Sequence, residues 1–160
     1  MMFKHILLCT HGTKGARLAE RWVFDGLCPA FPKARTTVLT IVNQDWSVMT
    51  GDDWLNSSAT RNAFRSHVDR QLAEEIDAHW RRIREAHPLA AACYFKRLFG
   101  PIEETFVHAA AALDCDLIVI GPYQKKQDKG FKARVQNKVL HPLLQVPLMV
   151  APGRVDDRQD

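Results

Sequence analysis

The chain has 160 residues, 46% hydrophobic and 25% charged, with a formal net charge of +4 at pH 7. That is the size and balance of one globular domain able to bury roughly 68–70% of the surface its unfolded chain exposes, and apolar runs such as 117–120 and 146–151 are far too short to cross a membrane as a helix. The excess charge is local: Lys125, Lys126, Lys129, Lys132 and Arg134 against Asp128 (five minus one) account for all of it, so no basic face is left over for a duplex and nucleic-acid binding is disfavoured.

Phe3 to Cys9 reads as a first buried strand, and no signal peptide is expected ahead of it. Thr10-His11-Gly12-Thr13 forms the following turn, with Thr13 the expected N-cap of a helix. Ala16, Ala19, Val23 and Leu27 give that helix its apolar stripe, and Cys28-Pro29 with Phe31-Pro32 should stop it. Thr36 to Val42 is a β-branched second strand. Residues 43–60 form a long connection carrying Trp46, Trp54 and three aspartates, after which Asn56-Ser57-Ser58 offers caps for a long helix. Its apolar positions are Phe64, Val68, Leu72, Ile76, Trp80 and Ile83, and His87-Pro88 ends it.

Ala91 to Leu98 is a third strand, interrupted by Lys96 and Arg97 and therefore expected at an outer position of the sheet. Pro101 is expected at the first position of the next helix, with Glu103 and Glu104 in its first turn complementing the dipole and Ile102, Phe106, Ala109 and Leu113 buried. Leu117 to Ile120 is an unalternating apolar run, the pattern of a strand buried on both faces of a parallel sheet. Gly121-Pro122 ends it, and Phe131, Val135, Val139 and Leu143 recur at helical spacing up to His141-Pro142. Val146 to Ala151 is a short fifth strand. The domain is expected over residues 1–153, with 154–160 a frayed tail.

Strands alternating with helices predict an α/β fold, a doubly wound parallel sheet with helices on both faces. Ligands of such sheets bind beyond the carboxyl ends of the strands, where the winding reverses. Thr10–Thr13, the 43–60 connection and Gly121–Arg134 all belong to that rim. A strand, loop and helix N-terminus suit an anion. The loop after Ile120 is nevertheless rich in cations and poor in glycine, so an anion there would be held by side chains. Arg134 is the best of them, since a guanidinium grips phosphate oxygens bidentately.

Taken in order and spacing, these pieces resemble the universal stress protein family over essentially the whole chain. Ile6 to Thr13 is similar to the family's opening strand and its aspartate-glycine-serine turn. Gly100 to Glu104 with Ala110 to Gly121 resembles the stretch leading into its fourth strand, and Val135 to Leu140 with Pro147 to Val150 its final helix and strand. The resemblance implies a Rossmann-like five-stranded sheet of order 3-2-1-4-5, a crevice between the first and fourth strands, and homodimers through the last strand, at Leu148, Met149 and Val150. It also implies that His11 stands where the family places an aspartate at the nucleotide, and that Val42 matches the position lining the base. The family's phosphate-wrapping glycines are represented by Gly121 alone. The second position is Gln124, the third falls at Ala133 or Arg134, and the hydroxyl is missing.

The candidate nucleotide- or anion-binding residues are therefore Thr10, His11, Gly12, Thr13, Val42, Gly121, Gln124, Lys132, Arg134 and Val135. The expected activity is binding and regulation, with weak or no ATP binding, a phosphorylated small molecule as ligand and no catalytic residue. The alternative is an adenine-nucleotide hydrolase or transferase of the same α/β group, with His11 as acid–base residue. Cys9, Cys28, Cys93 and Cys115 are scattered with no C-x-x-C pair, the pattern of reduced thiols in a cytosolic protein. No histidine has metal-ligand spacing, so no metal is expected.

Overall fold

The computed structural model of the chain describes residues 2–10, 14–42, 58–122 and 137–153. Five strands, β1 (His5–Cys9), β2 (Arg35–Val42), β3 (Tyr94–Phe99), β4 (Leu117–Ile120) and β5 (Leu148–Val150), form one sheet of order β3-β2-β1-β4-β5. Every pairing is parallel. Among the described residues, the α-helical elements between them are α1 (Lys14–Arg21, continued as described below), α2 (Ser58–Ala86), α3 (Ile102–Ala112) and α4 (Asn137–Leu140). The fold expected from the sequence, including the strand order and the outer position of β3, is the fold observed.

Side-chain alternation divides the core into two layers. Ile6, Leu8, Val38, Leu117 and Val119 face α1 and α2, packing on Leu18, Ala19, Val23, Phe24 and Ile83. Leu7, Cys9, Leu39, Ile41, Ile118 and Ile120 face α3 and α4, packing on Ile102, Phe106, Ala109, Ala110 and Leu140. Phe106 is fully buried at the centre of that second layer. The sheet is therefore covered on both faces, as unalternating strands require.

The lower rim is closed by a polar clasp. The Asp116 carboxylate, just ahead of β4, accepts the backbone N–H groups of Lys4 (2.8 Å) and His5 (3.1 Å). The buried His5 ring donates through Nδ1 to the Leu113 carbonyl at 2.9 Å, since a carbonyl can only accept. In the neutral ring Nε2 then accepts from the Thr37 hydroxyl at 2.8 Å.

Four local expectations shift. The first helix runs past Cys28-Pro29 and stops at the second expected pair, Phe31-Pro32. It passes through a π-helical turn at Trp22–Leu27, where the Cys28 N–H bonds the Val23 carbonyl, and runs on to Ala30. The wider turn lets the chain absorb Pro29, and Phe31 leaves at φ −125°. Ala91 and Ala92 lie in a 3₁₀ turn over Pro88–Ala92, so β3 begins only at Tyr94. In α4, Val139 is exposed, and its neighbour Leu140 takes the inward position expected of it. Pro101 is the N-cap of α3 with Ile102 the first helical residue, one position later than expected. Gly100 makes the turn into α3 at φ +143°, where a Cβ would also sit 2.6 Å from the Thr105 hydroxyl oxygen.

Candidate functional site

The winding reverses between β1 and β4: β2 and β3 continue the sheet on one side of β1, and β4 and β5 on the other. The register Leu8↔Val119, carried two residues on, sets Thr10 beside Gly121 at the carboxyl end of this pair. Here the two connections meet closely. A Cβ on Gly121 would fall 2.4 Å from the carbonyl carbon and oxygen of Gly15 and 2.7 Å from the Ala16 nitrogen, in the first turn of α1. The end of β4 thus lies directly on the start of α1, which only a glycine allows.

Beneath this junction runs a polar chain that begins at Thr10. Its N–H donates to the Leu39 carbonyl at 3.1 Å, and its hydroxyl donates to Glu20 Oε1 at 2.6 Å. The Thr10 carbonyl accepts the Thr40 hydroxyl at 3.2 Å, and Thr40 Oγ1 in turn accepts Trp80 Nε1–H at 3.0 Å. Glu20, on α1, is only 1% exposed. A carboxylate so buried requires a counter-charge. Arg82 of α2 supplies it, one nitrogen reaching both carboxylate oxygens at 3.0 Å and also His79 Nδ1 at 3.2 Å. With two hydrogens on that nitrogen, one is shared between the carboxylate oxygens and the other goes to the imidazole, whose Nδ1 accepts as a neutral ring. The chain ties β1, β2, α1 and α2 together at one point under the rim.

Of the residues expected at the site, Thr10, Val42 and Gly121 are within the described set and all three are engaged by the protein itself. Thr10 is fully buried with its hydroxyl on Glu20. Val42, expected to line a base, is 2% exposed and packs under α2 against Leu72 and Ile76. Its carbonyl accepts the Gly100 N–H at 3.0 Å. Gly121 meets the backbone of α1. His11, Gly12, Thr13, Gln124, Lys132, Arg134 and Val135 lie outside the described residues. Leu148 and Met149 are half-buried on the outer strand β5, and Val150 is exposed there.

Sequence reasoning missed Glu20, His79 and Arg82. A signal existed for the first: Glu20 occupies an inward position between Ala16, Ala19 and Val23, a lone charge on an apolar stripe. Trp80 was expected as core, and its ring does pack beside Phe95, but its indole N–H also anchors Thr40. Among the described residues no group of three or more His, Cys, Asp or Glu could hold a metal ion.

Comparison with known proteins bears on this geometry. The model of the universal stress protein family matches residues 2–151. Among solved structures, the chain is similar to hypothetical protein MJ0577, at 17% identity and TM-score 0.71, over 97% of this chain and 99% of that one. It is similar to the universal stress protein UspA from Lactobacillus plantarum at 16% identity and TM-score 0.61, over 95% and 99% of the two chains. A universal stress protein in complex with cAMP aligns at 13% identity and TM-score 0.58, over 95% and 98%. At these identities the likeness is one of fold. No curated protein matches the chain.

Proposed function

The chain belongs to the universal stress protein family, and from that membership we propose that it works by binding, taking a nucleotide or another phosphorylated small molecule weakly in the crevice between β1 and β4. The reading has two supports. One is the reversal of winding at that point, with the start of α1 and the end of β4 in contact. The other is a relative of the same fold that has been solved with cAMP.

The observation that carries the weakness is the engagement of all three described rim residues by the protein. The Thr10 hydroxyl serves Glu20, Val42 is covered by α2, and the bare Cα of Gly121 is filled by Gly15. A phosphate at this rim would then depend on other side chains, of which Lys132 and Arg134 are the main candidates, together with Gln124, Val135, His11, Gly12 and Thr13. Ammonium and guanidinium groups attract phosphate through water-screened charge, so salt weakens the contact. Titration calorimetry with ATP and with cAMP tests this. The expected result is a Kd of micromolar or weaker that rises steeply with ionic strength; tight binding insensitive to salt overturns it.

We further propose that the protein is a homodimer through β5, whose outer edge carries Leu148, Met149 and Val150. An open apolar edge strand invites pairing with a second copy.

A further inference from the structure

Two of the four thiols converge on one hydroxyl. Cys28 follows directly on the π-helical turn of α1, and its sulfur lies 3.6 Å from Thr36 Oγ1. That turn holds one residue more than an α-helical turn, which rotates the phase of everything after it and sets where Cys28 points. Cys93 precedes β3. The register Thr37↔Tyr94, extended one residue back, sets it beside Thr36 on the neighbouring strand. Residues paired across parallel strands share a face, and Cys28 and Cys93 both pack on the layer under α1 and α2. Thr36 also lowers the Cys93 thiol electrostatically, while the Cys93 sulfur itself donates to the Leu89 carbonyl at 3.6 Å. Both thiols are free and only partly buried, whereas Cys9 and Cys115 lie in the core.

We propose that Cys28 and Cys93 are a redox-responsive dithiol that closes to an intramolecular disulfide by exchange with a small disulfide such as oxidised glutathione. The Cys28 thiolate attacks one sulfur of the oxidant, forming a mixed disulfide and expelling one thiolate, which takes up a proton. The Cys93 thiolate then attacks the Cys28 sulfur, forms the Cys28–Cys93 bond and releases the second small thiol. Two protein thiols are oxidised and one small disulfide is reduced to two thiols.

The order follows from the surroundings. Burial raises Cys28, partly offset by the Thr36 hydrogen bond. Cys93 is pushed up to about 11 by burial and by the charge of Cys28, again partly offset by Thr36. Cys28, whose sulfur has the Thr36 hydroxyl at 3.6 Å, is assigned the attacking role and Cys93 the resolving one. Because the thiolate is the attacking species and both groups stand above the ordinary thiol value, exchange is slow at neutral pH and accelerates as pH rises. The bond would fasten the far end of α1, the helix whose first turn bears on Gly121, to the outer strand of the sheet.

The test is incubation of the full chain with oxidised glutathione at pH 7 and pH 9, alkylation under denaturing conditions, and mass mapping. The proposal expects a monomer-mass product lacking two hydrogen atoms, two alkylated thiols (Cys9 and Cys115), a peptide joining Cys28 to Cys93, and a faster reaction at pH 9. Cys93→Ser is expected to stop at the Cys28–glutathione mixed disulfide, and Thr36→Val, which keeps the shape and both cysteines, to slow closure. Four alkylatable thiols after oxidation, or a bridge between chains or involving Cys9 or Cys115, overturns it. The nucleotide-binding reading does not depend on this outcome.

Discussion

A carboxylate with 1% exposure has one neighbour of opposite charge among the described contacts, and that contact sets the energetics of the rim. Removing Arg82 leaves Glu20 charged and unpaired in a medium that solvates it poorly. Arg82→Met is therefore expected to destabilise the fold by about 3 kcal/mol in urea unfolding. Adding Glu20→Gln to that variant should restore part of the loss, because the amide still accepts from Thr10 without burying a charge. A double variant no more stable than Arg82→Met would contradict the assignment. The thiols give the pH dependence. Burial raises Cys9 most, and Cys93 and Cys115 to about 11 each. Above the ordinary thiol value of 9.0 the unfolded chain loses these protons while the native chain keeps them. Native stability is thus full below that value and falls as pH rises from about 9 toward 11. Urea melts at pH 8 and 10 should show the decline, and Cys9→Ala should flatten it. At this scale the sequence was legible where chemistry is periodic and opaque where it is paired. Glu20 stands out as a charge on an apolar stripe, but Arg82 is one arginine among several on α2, and only the tertiary fold selects it.

The elements themselves were readable because their buried faces repeat. Ile76 and Ile83 in α2, Phe106 and Ala110 in α3, and the unbroken run of β4 follow the periods that burial demands. Two boundaries moved next to prolines, although the stops at Phe31-Pro32 and at His87-Pro88 fell where expected. Pro29 removes one N–H, and the bond from the Cys28 N–H to the Val23 carbonyl carries the helix past it. Pro88 opens a 3₁₀ turn that consumes Ala91 and Ala92, which moves the start of β3 to Tyr94. Val139 and Leu140 exchanged roles: Val139 is exposed and Leu140 is fully buried. The edge strand β5 carries the prediction proper to elements. Val150→Lys places a charge on the proposed pairing edge and is expected to shift sedimentation at micromolar concentration from dimer to monomer with the fold unchanged. Wild type sedimenting as a monomer at high concentration would remove the dimer.

For the whole molecule, the topology was legible through family resemblance together with the alternation of strands and helices, and strand order 3-2-1-4-5 follows in the structure. The candidate site was read from the family resemblance, and three of its residues fall among the described ones. Gly121 was read as a remnant of a phosphate loop, yet its missing side chain is needed by the α1 backbone, a contact between residues distant in sequence. Val42 was read as base-lining and is covered by Leu72 and Ile76, side chains on a helix whose docking no local pattern gives. The molecule's net charge resides in residues 125–134, and the proposed ligand affinity rests on them. The most direct measurement is calorimetric titration of ATP into wild type and into a variant with Lys125, Lys126, Lys129, Lys132 and Arg134 changed to glutamine, each at low and high salt. The account predicts weak wild-type binding that falls about tenfold as salt is raised from ~0.05 to ~0.5 M, and no measurable binding by the variant at either salt. Equal affinities for the two proteins, unchanged by salt, would contradict it.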